Sequence, residues 1–176
     1  MIQVILACAT SLDGRTTRHK ENDVHQWTSP EDQQYFADLV HAHSTIIMGR
    51  RTYEVVRERI RLSEEHERYV LTRTPERFQA ERVPSKLEFT NEDPKTLLQR
   101  LERHGHRRVL LAGGAALSKV FFEAHCITEV WITLEPRIFG SGHPLVAETQ
   151  LDIQLHLLDV KQLNTRGTLL LRYQVD

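Results

Sequence analysis

Apolar and polar positions change period several times along this 176-residue chain, and each change marks an element. Residues 2–9 are almost continuously apolar, the pattern of a central strand covered on both faces. Turn residues at Ser11-Leu12-Asp13-Gly14-Arg15-Thr16 end it. Ser29-Pro30-Glu31-Asp32 then reads as a helix start, with a serine N-cap, proline at the first helical position and an acid at N3. Phe36, Leu39, Val40 and His43 follow at helical spacing and form one inward stripe, which reaches back a turn to Asp32 and Tyr35. Strands are expected at 45–48, 69–72, 87–89, 108–112 and 127–134. Helices are expected at about 51–60, 94–104 and 115–124, with Leu97, Leu98 and Leu101 inward and Gly105 closing the second of them. Two last strands, 153–157 and 168–173, flank Asn164-Thr165-Arg166-Gly167 and predict a hairpin. The order predicts an α/β fold: a three-layer αβα domain spanning 1–176, its central sheet mostly parallel with an antiparallel C-terminal hairpin.

Two of these strands stop at glycine and turn helical, at Met48-Gly49-Arg50-Arg51-Thr52 and at Ala112-Gly113-Gly114-Ala115-Ala116. A helix entered through glycine leaves its first N–H groups unpaired, and with the helix dipole they favour an anion. Two such corners with arginines beside one of them point to a ligand with several phosphates, a dinucleotide. Thr72 and Arg73 end the next strand, and a parallel sheet brings them to the same carboxyl edge. Guanidinium and hydroxyl groups there suit a 2′-phosphate, hence NADP rather than NAD; a solvated basic rim gives the same composition. Gly113-Gly114 lacks the spacing of the G-x-G-x-x-G fingerprint, so it also reads as a tight turn.

Asp32 shares the inward face of its helix with Tyr35 and Phe36, and Trp27 lies just upstream. A carboxylate at an aromatic, partly apolar wall has a raised pKa and can relay a proton near neutrality. Ser29-x-x-Asp32 is equally the spacing of a capping box, in which the carboxylate only ties off a backbone N–H.

Composition narrows the alternatives. The net charge of −1, with 40% hydrophobic and 27% charged residues, is that of an ordinary soluble domain with no field for nucleic acid or an acidic membrane surface. No apolar run approaches the roughly 20 residues of a membrane span, and the N-terminus lacks a signal-peptide pattern. Cys8 and Cys126 read as reduced thiols in a cytoplasmic protein. Neither His41-x-His43 nor His104-Gly105-His106 has the spacing of a zinc site, so no metal is expected. Gly140-Ser141-Gly142 reads as a loop, since the chain has no G-x-S-x-G nucleophile elbow.

Taken in order, Ser11-Leu12-Asp13-Gly14-Arg15, Trp27-Thr28-Ser29-Pro30-Glu31-Asp32, Ile47-Met48-Gly49-Arg50-Arg51-Thr52-Tyr53-Glu54, Leu111-Ala112-Gly113-Gly114-Ala115-Ala116-Leu117 and Glu129-Val130-Trp131-Ile132-Thr133-Leu134-Glu135-Pro136 through Gly140-Ser141-Gly142 resemble the dihydrofolate reductase superfamily. The resemblance is closest to the C-terminal reductase domain of the bifunctional riboflavin-biosynthesis deaminase–reductase. It implies an NADPH-dependent reductase acting on a small pyrimidine, with dihydrofolate or another pterin as the alternative substrate. It further implies that Ala7, Gly14, Gly49, Arg50, Arg51, Thr52, Thr72, Arg73, Gly113, Gly114, Ala115, Ala116 and Leu117 contact NADPH. Ser11, Asp13, Trp27 and Phe36 would contact substrate, and Asp32 would be the catalytic acid. Where the riboflavin enzymes carry an Asp-Asp-Pro stretch, this chain has Val55-Val56-Arg57-Glu58-Arg59. A nucleotide-binding module without chemistry is the reading from another class. A homodimer is expected, to cover the 126–134 strand and the hairpin.

Overall fold

The computed structural model describes residues 2–176. Its elements run β1 (Gln3–Ser11), α1 (Pro30–His41), β2 (Thr45–Gly49), α2 (Arg50–Val56), β3 (Glu67–Leu71), β4 (Leu87–Thr90), α3 (Pro94–Arg103), β5 (Arg108–Leu111), α4 (Ala115–Glu123), β6 (Glu129–Glu135), β7 (Leu155–Gln162) and β8 (Leu169–Val175). Short 3-10 segments at Val24–Gln26 and Pro75–Glu81, not foreseen from the sequence, lie in connections. All eight strands join one sheet in the order β4-β3-β2-β5-β1-β6-β8-β7. Pairings among β1 to β6 are parallel, and β8 is antiparallel to both β6 and β7.

Alternation along the central strands builds two cores on opposite faces. Val4, Leu6 and Leu111 face α3 and α4 through Leu97, Leu101, Phe121 and Phe122. Ile5, Ala7, Ile46, Met48 and Val70 face α1 and α2 through Leu39 and Tyr53. Val4, Ile5 and Leu6 are each fully buried, which is why β1 reads as a continuous apolar run. The result is the three-layer arrangement, helices on both faces of a mostly parallel sheet with an antiparallel C-terminal pair. No helix among the described residues is long and apolar enough to cross a membrane.

Three local expectations change. The helix expected over 51–60 ends at Val56 and continues only as turns, where Arg59 reaches back to Asp23. The strand expected at 127–134 needs no outside cover, because β6 lies between β1 and β8. The penultimate strand, expected at 153–157, begins at Leu155 and runs to Gln162, with a bulge between Leu157 and Asp159. That bulge breaks the period-two pattern from which a strand is read. As an edge strand, β7 leaves Leu157, Leu158 and Val160 more than half exposed.

Candidate active site

Because β2 pairs with β5, the two glycine corners, 64 residues apart in the chain at Gly49 and Gly113, become neighbours. Thr52 on α2 donates its hydroxyl to the Gly113 carbonyl at 3.4 Å. Gly113 and Gly114 hold φ of +71° and +102°, and a Cβ at Gly114 would stand 3.2 Å from Thr52 Oγ1. Glycine is thus required there by backbone conformation and by close approach together. Neither α2 nor α4 has a side chain capping its N-terminus, so both present free N–H groups.

An open cleft of about 1140 Å³ runs past both corners and along α1. Its volume exceeds the usual range for one drug-sized ligand, room enough for an extended cofactor with a small second molecule. Ala7, Gly49, Arg50, Arg51, Thr52, Thr72, Arg73, Gly113, Gly114, Ala115, Ala116 and Leu117 all line it, as do Asp32 and Phe36. The parallel register is what gathers them: β2 and β3 end side by side, Gly49 paired with Leu71, so Thr72 and Arg73 emerge next to Arg50. Arg50 Nη1 holds Glu54 at 2.7 and 2.8 Å one turn along α2. Both partners are about two-fifths exposed, so the pair is a weak competitor for an anion. Arg51 and Arg73 make no ion pair among the described residues, and both are exposed.

Four expected site residues stand outside the cleft: Ser11, Asp13, Gly14 and Trp27. Asp13 accepts from the Ser11 hydroxyl at 2.6 Å and from the backbone N–H groups of Phe139 and Gly140 at 3.1 and 2.8 Å. Those donors, the Ser11 hydroxyl first, hold its carboxyl down to about 2. Ser11 in turn accepts from the Arg15 N–H, and Gly14 turns at φ +74°. This corner ties the loop after β1 to the loop after β6. Trp27 is buried edge-on against Phe139, ring centroids 5.1 Å apart. Its place is beneath the 137–142 loop.

Asp32 differs. It is 4% exposed and borders the cleft. Ser29 Oγ caps its backbone N–H at 3.2 Å, so half of the capping box exists. The other half does not: the Ser29 N–H donates to Glu135 Oε1 at 2.7 Å, leaving the Asp32 carboxylate free of that duty. Burial pushes the Asp32 carboxyl up to about 6; the Thr133 and Thr28 hydroxyls oppose the rise and the Glu135 charge adds to it. A group titrating there can exchange a proton at neutral pH. Cys8 also lines the cleft, but burial pushes its thiol up to about 12, so it offers no thiolate.

Two residues beyond the sequence reading shape this site. Glu135, buried at the end of β6, accepts from Ser29 N–H and from the Thr168 hydroxyl at 2.9 Å, and so pins the start of α1 to β6 and β8. A lone acid closing an apolar strand was the available signal. Arg68 lines the cleft from within β3 and is 7% exposed; an arginine at the start of a short strand reads as solvated, and nothing local marks it as buried.

The Bacillus subtilis (strain 168) protein YwjB is 32% identical to this chain over 165 residues, covering 91% of each. A structure of a riboflavin biosynthesis protein from Shewanella sp. PV-4 superposes with a TM-score of 0.80 at 20% identity, covering 99% of both chains. Dihydrofolate reductase from Enterococcus faecalis, solved with NADP(H), superposes at 0.65 and 15% identity over 99% of this chain and 96% of that one. These structural likenesses show a dihydrofolate reductase-like fold. The model of the RibD C-terminal domain matches residues 3–169, nearly the whole length, and the chain belongs to that reductase-like family.

Proposed function

We propose that the chain is an NADPH-dependent oxidoreductase of the riboflavin-pathway type, similar to 5-amino-6-(5-phosphoribosylamino)uracil reductase. The observation that carries this reading is the pair of uncapped glycine corners packed side by side at one cleft, with Arg51, Arg73 and Thr72 beside them. The residues fit the cofactor: Gly113 and Gly114, both at positive φ, admit a pyrophosphate, a Cβ at Gly114 would crowd Thr52, and the guanidiniums of Arg51 and Arg73, without an ion pair among the described residues, suit a 2′-phosphate. Bound there, NADPH supplies a hydride. The protein supplies position and a water-poor wall, through Phe36, Val40 and Met48. Asp32 accepts hydrogen bonds from an amino-imine ring edge and, titrating near 6, holds or returns the proton that accompanies the hydride. That same carboxylate favours a pterin as the second reading, since a pterin ring offers paired N–H donors.

The test is loss of NADPH absorbance across a panel of ribosylaminopyrimidine phosphates, dihydrofolate and other pterins. Oxidation dependent on one of them supports the reading and selects the substrate. Binding of NADPH with no oxidation across the panel would leave a nucleotide-binding module instead. A homodimer fits the same reading, because β7 is an open edge carrying exposed Leu157, Leu158 and Val160. Sedimentation of the free chain decides that point. The free thiols fit a reducing, cytoplasmic setting.

A further inference from the structure

Arg68, the second residue of β3, lies opposite Ile46 on β2 and Leu87 on β4. Those two residues and Val70 belong to the apolar cluster beneath α1 and α2, so strand alternation turns the Arg68 side chain onto that same face. It is 93% buried, and its Nη1 has no hydrogen-bond partner among the described residues. Among the described residues no carboxylate pairs with the charge. Adjacent Glu67 accepts from the Tyr69 hydroxyl at 2.5 Å and lies 3.6 Å from His106, while Glu64 pairs with Lys86. Burial alone acts on the guanidinium, pulling its pKa down. An arginine does not discharge by losing its proton, and buried charges are as a rule paired. This one faces a cleft instead.

The position relative to the rest of the cleft is set by regular geometry. Asp32, Phe36 and Val40 line it at intervals of one turn, a rise of about 12 Å along α1 from Asp32 to Val40. Along β3, Thr72 is four residues on, about 13 Å from Arg68, so the cofactor-phosphate edge is a separate place. Phe36, Val40 and Ile60 make the walls between, and Arg61, exposed and without an ion pair among the described residues, adds positive charge at the rim.

We propose that Arg68 is the buried counter-ion for an anionic arm, phosphate or carboxylate, of a substrate whose ring faces Asp32. The assignment rests on the reading of this cleft as a cofactor-and-substrate site. The planar fork of a guanidinium matches either anion bidentately. The arm runs under α1 along the apolar wall, and its charge enters a place already desolvated and lacking a partner. Arg68 thereby selects charged over neutral ring compounds.

The experiment titrates the chain with ribose 5-phosphate and, separately, with N-benzoylglutamate, by calorimetry and thermal shift, each with and without saturating NADPH. One of the two should bind and raise the melting point, and which one does identifies the arm as phosphate or carboxylate. Arg68→Met should weaken that probe at least about tenfold while Arg73→Met leaves it within about twofold. Without ligand, Arg68→Met should melt no lower than the parent, since an unpaired buried charge has been replaced by an apolar chain of similar length. Should Arg68→Met fail to fold, Arg68→Gln is expected to weaken the same probe. Binding of neither probe, or unchanged affinity in the Arg68 variants, overturns the proposal. The two readings fail separately: NADPH binding without anion binding removes Arg68's role alone, whereas anion binding without NADPH binding removes the reductase reading.

Discussion

Asp13 and Asp32 sit at two corners of the molecule that look alike in the sequence, each an acid in a turn or helix start just after an apolar run or aromatic, yet they end in opposite electrostatic states. At the β1 corner Asp13 is exposed and receives three donors, which hold it at about 2. At the α1 corner Asp32 is buried, excused from capping by Glu135, and pushed to about 6. The difference lies in partners, not in residue type. Asp13 stabilises a loop, and Asp32 has a titration left to use.

The largest expected effect breaks the comparison on the chemical side. Asp32→Asn should lower kcat on any accepted substrate by ~100-fold or more, the size typical of a lost acid–base group, with NADPH affinity within about twofold. Full turnover in the variant would reduce Asp32 to a packing role.

Stability against pH should then separate the two acids by sign. Asp32 has a folded pKa above its ordinary 3.8, so the folded state binds the extra proton, and stability is lost as pH rises from about 4 through 6. Asp32→Asn removes that loss and should gain up to about 3 kcal/mol at pH 7, with little gain below pH 4. Asp13 lies below 3.8, so its contribution is present above that value and lost as pH falls toward 2. Asp13→Asn should therefore melt lower than the parent at pH 7 and converge with it in acid, with kcat within about twofold. Chemical denaturation across pH reads both curves, and slopes of the same sign would refute the distinction.

A smaller effect sharpens it. Glu135→Gln can keep the acceptor for Ser29 N–H but removes the charge beside Asp32, so the Asp32 titration should move down. Carboxyl NMR on the isotope-labelled protein measures this, and an unmoved midpoint would take Glu135 out of the tuning. At the phosphate edge, Arg73→Ala should weaken NADPH more than NADH. Arg50→Ala should show the same preference more weakly, because Glu54 already occupies its guanidinium. Equal losses for both nucleotides would remove the 2′-phosphate assignment.

How much of this was legible in the sequence follows the range of the interactions. Period and punctuation are local, so β1, the serine cap of α1, the leucine face of α3 and both glycine corners could be read from neighbours alone. The edge strand β7 was misplaced because a bulge and exposure on its outer side erase alternation. In the cleft, the gathering of Gly49, Arg50, Thr72, Arg73 and Gly113 at one edge was legible because parallel strands deliver their carboxyl ends to one side. The partners that hold Asp13 and Trp27, at Phe139 and Gly140, lie more than 100 residues away, as does the Glu135 that frees Asp32. No window on the chain contains those pairs. Arg68 is hidden for the same reason: its burial comes from β2, β4 and α1, not from its own strand.

The most direct measurement is calorimetric titration of the free chain with NADPH and with NADH, repeated on Gly114→Val. The account predicts a saturable one-to-one complex with NADPH, NADH weaker by about tenfold or more, and binding lost in the variant, whose side chain would crowd Thr52 at a left-handed backbone position. No measurable complex with either nucleotide would contradict it.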